Sequence, residues 1–158
     1  MAEGVNLGSW SQLTRWRAEC YERFGSIRDL PVCVPHEEIR RLLGPDSRVL
    51  DVGAGVPESL QAIVSLPAQC YYSLDNDPAG DFDFRLMGEV PADLEFDLAV
   101  ANQVIEHLNL VDSWSLISMV YRHLACGGYF LAAVPNAARP VRQWGDAAHV
   151  TAWPIGDL

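Results

Sequence analysis

The sequence predicts an α/β protein built on a doubly wound, mostly parallel sheet. Three observations point there. Short apolar runs of strand length alternate with helical segments from Arg48 to Val134. The first run ends in the glycine turn Asp51-Val-Gly-Ala-Gly55, and the second ends in an acid, Asp75. Alternating strands and helices favour parallel pairing with right-handed crossovers.

Each element has its own signal. Trp10, Leu13, Trp16, Cys20 and Phe24 recur at steps of three and four, which predicts an amphipathic helix between a Ser9 cap and Gly25. Its stripe faces a core first and serves as a lid second. Asp29 to Pro35 reads as an extended linker because its two prolines resist helix. His36 to Leu43 is a short helix stopped by Gly44-Pro45, so the chain divides into residues 1–35, helix and linker, and a main domain over 36–158. Arg48 to Val52 is the first strand, and Glu58 to Leu66 a helix behind Pro57. Gln69 to Leu74 is the second strand and Phe82 to Met87 a weaker third. Only Asn76 to Asp81 lies between them, too short for the crossover helix that a parallel connection normally needs. Phe96 to Ala101 is a fourth strand. Leu110 to Leu124 is a helix ended by Gly127-Gly128, and Tyr129 to Val134 is the fifth strand.

Composition narrows the chemistry. With 158 residues, 49% hydrophobic and 20% charged, the chain is long enough for a real core and ordinary for a globular protein. All 11 basic residues are arginines. Without lysine there is no Schiff base, no pyridoxal phosphate anchor and no P-loop. A net charge of −10 opposes phosphate-backbone binding, so nucleic acid and anionic membranes are not expected partners. Cys20, Cys33, Cys70 and Cys126 are too scattered for a zinc or redox pair, and no metal is expected. No basic start with an apolar follow-on marks a signal peptide, and no apolar run approaches the roughly 20 residues of a membrane span. The cytoplasm is the expected compartment.

The glycines of the first turn allow positive φ and close approach of a ligand, at the strand ends where open α/β sheets bind one. Asp75 can accept hydrogen bonds from both hydroxyls of a ribose. A nicotinamide cofactor fits less well. Glu58 stands where the third glycine of G-x-G-x-x-G would fall, and an acid there repels a pyrophosphate at the helix start. The absence of lysine also removes the Tyr/Lys relay of short-chain dehydrogenases.

Val49-Leu-Asp-Val-Gly-Ala-Gly55, Ser73-Leu-Asp-Asn-Asp77, Phe96 to Leu108, Leu124 to Leu131 and Val134-Pro-Asn136 together resemble the successive motifs of class I S-adenosylmethionine (SAM)-dependent methyltransferases. The nearest likeness is to the ubiquinone/menaquinone-biosynthesis-like, type 11 group, with His149 to Leu158 similar to its segment after strand five. The resemblance covers positions 36 to 158. It implies a Rossmann-like sheet of order 3-2-1-4-5, SAM as cofactor and S-adenosylhomocysteine as product, and says little about the acceptor, for which the net charge of −10 points to a small molecule. By the same resemblance Asp51, Gly53, Ala54 and Gly55 line the methionine side of SAM. Asp75 holds the ribose with Asn76 beside the adenine, and Asn102 and Gln103 face the methionine or the acceptor. The adenine acid common in the family is replaced by Leu86, with Met87 next to it, and both are expected to pack on adenine. Pro57 replaces a frequent glycine.

Nothing strand-like follows Val134, whereas the family sheet ends in an antiparallel hairpin. The expectation is self-association or a partner along the strand-five edge, cover from residues 137 to 158, or a shortened chain. His107 is the candidate catalytic group, a general base or else a loop-shaping histidine bonded to backbone. Glu106 reads as structural, and His36 and His123 as surface residues. His149 lies in a loop expected over the site and reads first as solvated, with a base or substrate contact as the alternative. Asn102-Gln-Val-Ile105 is not the Asn-Pro-Pro-Tyr of base-amine methylation, and no Pro-Cys pair serves cytosine. The expected function is methyl transfer to an O, N or C nucleophile of a small molecule. The alternatives are a non-catalytic SAM-binding or partner module and, below it, a nicotinamide-dependent oxidoreductase.

Overall fold

The computed structural model describes residues 34–55, 58–137, 143 and 145–153, together with residues 15, 18, 19 and 22, which are helical. The remainder of the predicted 9–24 helix with its caps, the linker to residue 33, Pro57 and Trp144 lie outside the described residues.

Helix α1 (Pro35–Leu42) opens on a proline whose missing N–H costs nothing there. It carries Glu37 and Glu38 in its first turn and Arg40 and Arg41 in its last, matching the helix dipole. Ile39 is its buried anchor. Strand β1 (Val49–Val52) is buried at every position, as an inner parallel strand should be. Helix α2 (Glu58–Val64) leads back to β2 (Tyr71–Leu74). Strand β3 (Phe96–Asn102) is followed by a tight turn at Ile105–His107 and by helix α3 (Leu110–Arg122). The Asn109 side chain caps α3 by accepting from the Asp112 amide at 2.9 Å. Strand β4 (Leu124–Ala133) closes the sheet.

The four strands run in the order β2-β1-β3-β4, all parallel. Side chains alternate across β1 and sort the core into two layers. Leu50 and Val52 join Leu74, Phe96, Ala99, Ala101 and Val120 on the α3 side. Val49 joins Ile39, Leu60, Val64, Tyr71, Leu98 and Val100 on the α1–α2 side. Asp51 shares the parity of Val49 and so projects toward α1 and α2.

The doubly wound parallel sheet stands as predicted, with two corrections. The third strand shrinks to a single parallel bridge between Leu74 and Phe84. Six connecting residues cannot hold a crossover helix, and side chains complete the pairing instead. Asp83 Oδ2 accepts from the Ser73 amide at 2.7 Å and from its hydroxyl at 2.8 Å. The predicted order 3-2-1-4-5 is thus present with its outermost member reduced to one residue.

The second correction concerns Gly127-Gly128, which do not end the helix. Helix α3 stops at Arg122, where the His123 carbonyl accepts from the Phe96 amide at 2.7 Å and β4 begins at once. The glycines sit where the β3–β4 register shifts between Phe96 and Leu98. A Cβ on Gly128 would meet the Phe96 carbonyl oxygen at 2.9 Å, so only glycine lets the strands approach. His123 is also half-buried rather than at the surface, with Nδ1 3.0 Å from the Leu94 carbonyl oxygen. Among the described residues no antiparallel hairpin follows β4, and no helix is long and apolar enough to cross a membrane.

Candidate active site

The turn after β1 is pinned to the end of β2. The Gly53 and Ala54 amides both donate to the Leu74 carbonyl, at 2.7 and 3.2 Å. The Gly55 amide donates to Asp75 Oδ2 at 2.9 Å, while Asp75 Oδ1 accepts from the Asp77 amide at 2.9 Å. Gly53 and Gly55 take φ of 71° and 54°, the left-handed region that favours glycine. A Cβ on Gly53 would also lie 2.4 Å from Val104 Cγ2. The loop after β1 and the turn after β3 therefore touch through a position only glycine can fill.

Two cavities meet at Gly53. One, of about 520 Å³, is lined by Gly53, Asp75, Asn76, Leu86, Met87, Gln103 and His107. The other, of about 370 Å³, lies on the α1–α2 side and is lined by Asp51, Gly53, Ala54 and Asn102, with His36 and Ile39 of α1. Every residue expected to bind the cofactor thus borders one cavity or the other, apart from Gly55, which is joined to Asp75 by its amide. The candidate base His107 borders the first cavity. Met87 is buried, whereas Leu86 is 60% exposed and so offers an open apolar face. Gln103 holds φ 59° and donates its amide to the Ala133 carbonyl at 2.8 Å. A non-glycine residue in this region stores roughly 1–2 kcal/mol of strain.

Asp51 is 5% exposed. Its carboxyl is pushed up to about 6, chiefly by desolvation; the Tyr71 hydroxyl, donating at 2.6 Å, pulls it back, and the Asp75 charge raises it further. A buried acid beside a second acid favours a cationic guest over an anionic one. Among the described residues no arginine borders the cavity that holds Asp51. A nucleoside carrying a sulfonium fits this donor set, with Asp75 keeping lone pairs for a ribose; a pyrophosphate does not.

Sequence reasoning missed several neighbours. Arg85 borders the larger cavity and donates to the Gly80 carbonyl at 2.8 Å, bracing the loop after Asp75. His36 borders the smaller one. His149 stacks edge-on against His107 with ring centroids 4.8 Å apart. No local pattern announces that His149 packs on His107 or that α1 meets the turn after β1, because each joins segments distant in sequence.

Comparison with known proteins bears on the family and the fold. A family described as a methyltransferase domain matches residues 24–154. The fold is similar to a SAM-dependent methyltransferase from Archaeoglobus fulgidus, at 18% identity and TM-score 0.56, covering 89% of this chain and 69% of that one. It is also similar to the glycopeptide N-methyltransferase MtfA, at 19% identity and TM-score 0.51, covering 68% of this chain. This chain spans 57% of the length of the latter. At these identities the likeness is one of fold. No curated protein matches the chain.

Proposed function

The chain belongs to the methyltransferase domain family, and from that premise we propose that it transfers the methyl group of SAM to an O, N or C nucleophile of a small molecule. The observation that carries this reading is the pair of cavities sharing Gly53, one bordered by Asp75 and Met87, the other by Asp51 and Asn102. SAM supplies an already activated methyl group, so the protein's work is binding, alignment and control of one proton.

Asp75 accepts from ribose hydroxyls while its two amide bonds hold its carboxylate in place. Met87, Leu116 and Met119 give the larger cavity an apolar wall on which a flat base packs. Asp51 favours the positive charge, and Asn102 and Gln103 orient what lies between. His107 faces the same cavity and handles the acceptor's proton: its Nδ1 lies 3.1 Å from the Ala148 carbonyl oxygen, which leaves the Nε2 lone pair free in the neutral ring. The cytoplasm suits the free thiols of Cys70 and Cys126. The outer edge of β4, where Tyr129 is 52% exposed, is the surface for self-association, and light scattering of a clean monomer removes that part.

Calorimetry with SAM, S-adenosylhomocysteine and NADH, followed by detection of S-adenosylhomocysteine across a metabolite panel, tests the reading. Tight SAM binding without turnover would favour a binding module. NADH binding in place of SAM would overturn the proposal.

A further inference from the structure

Glu106 is fully buried, and neither of its carboxylate oxygens has a hydrogen-bond partner. A carboxylate taken out of water without a hydrogen bond is costly unless a positive partner stands beside it. Such a group calls for a cation. Two imidazoles stand next to it: one ligand atom each from Glu106, His107 and His149 lie within 4.8 Å of one another.

The histidines are held as metal ligands usually are. His107 Nδ1 is 3.1 Å from the Ala148 carbonyl oxygen, and His149 Nδ1 is 2.6 Å from that of Gln143. A carbonyl only accepts, so each Nδ1 carries its proton and each Nε2 keeps a lone pair. A backbone carbonyl fixing the tautomer from behind is the usual outer support of a ligating histidine. The frame is stiff as well. The Glu106 carbonyl accepts from the Val150 and Thr151 amides at 2.8 and 3.0 Å, and Thr151 Oγ1 donates to the Leu108 carbonyl at 2.6 Å. Trp153 Nε1 donates to the Ile105 carbonyl at 3.2 Å. Residues 150–153 are thereby fastened across the turn that carries Glu106 and His107.

We propose that Glu106, His107 and His149 form a binding site for a divalent transition cation of the zinc class. Two imidazoles and one carboxylate suit such a cation, and three protein ligands leave a further position open. Bonds of about 2.1 Å place tetrahedral ligand atoms about 3.4 Å apart, so small side-chain rotations close the site on binding. Asp146 Oδ2, 3.9 Å from His149 Nε2, adds negative charge at the rim. Because His107 also borders the larger cavity, a cation held here lies beside the space proposed for the reaction. A hydroxyl held there becomes more acidic, and the Nε2 of His107 is then a ligand rather than the base. That use rests on the proposed function; the binding itself does not.

The test uses untagged full-length chain stripped with a chelator, titrated with Zn²⁺ by calorimetry and with Co²⁺ by visible absorption. One equivalent is expected to bind, with a ligand-field band of low-coordinate Co²⁺. Glu106→Gln and His149→Ala should each weaken binding about 100-fold or more, and His123→Ala should not. Should Glu106→Gln fail to fold by circular dichroism, His149→Ala carries the test, since its residue lies on the strap and not in the core. Binding unchanged in both variants, no binding at all, or preference for Mg²⁺ over Zn²⁺ overturns the proposal. SAM titration of the stripped chain, read separately, reports on the methyltransferase reading.

Discussion

The carboxylate of Asp75 accepts the amide hydrogen of Gly55 at 2.9 Å, tying the ligand-side end of β2 to the glycine turn of β1. The acid expected to hold a ribose therefore also holds the loop beside it. Asp75→Ala should weaken SAM binding by roughly 1–3 kcal/mol, about fivefold to 150-fold in Kd. Asp75→Asn should retain part of this, since one amide oxygen still accepts. Calorimetry reads both, and unchanged affinity in Asp75→Ala would take the residue out of the site.

Gly53→Ala meets two obstacles, a φ of 71° and a Cβ position 2.4 Å from Val104 Cγ2. It should lower stability by roughly 2–4 kcal/mol, as a clash adds to backbone strain. Adding Val104→Ala removes the clash but not the strain, so denaturant unfolding should show partial recovery. Full recovery would mean that φ imposes no cost.

Asp51 gives a pH signature. Its folded value of about 6 lies above the ordinary 3.8, so the folded state holds the proton more tightly. The penalty is absent below about pH 4, grows as pH rises toward 6, and reaches about 3 kcal/mol above that. Asp51→Asn should accordingly be more stable than the parent at pH 7 to 8 and equal to it near pH 3.5. A cation beside Asp51 favours the ionised form, so SAM affinity of the parent should fall as pH drops through 6. Thermal melts and titrations at both pH values check the two halves.

His107→Ala should reduce turnover at least tenfold while SAM affinity changes little, because the ring borders the larger cavity without contributing to the pinned Asp75–Gly55 turn. Equal loss in both would assign the ring to structure alone.

Much of this was legible in the chain. Val49 to Val52 is a short apolar run that only an inner strand can bury completely, and its glycine turn and the acid at Asp75 marked the ligand edge. What periodicity could not show was a side chain standing in for backbone. Asp83 completes the pairing at Ser73, so six residues that looked like a strand contribute one bridge. Gly127-Gly128 misled for a related reason: a glycine pair stops helices in general, but here it serves a strand bulge against Phe96. The sequence sets His149 over the site but cannot seat it against His107, because nothing local hints that residues 150 and 151 dock on Glu106.

The Asp83 carboxylate also bears on solubility. The flank of β2 away from β1 would otherwise present a row of amides and carbonyls able to recruit a foreign strand. Asp83 consumes the Ser73 amide, and Phe84 takes the Ser73 carbonyl with its own N–H at 3.0 Å. The border of the sheet is thus capped at Ser73 by two residues, and replacing Asp83 with alanine would leave the Ser73 amide open to a foreign strand.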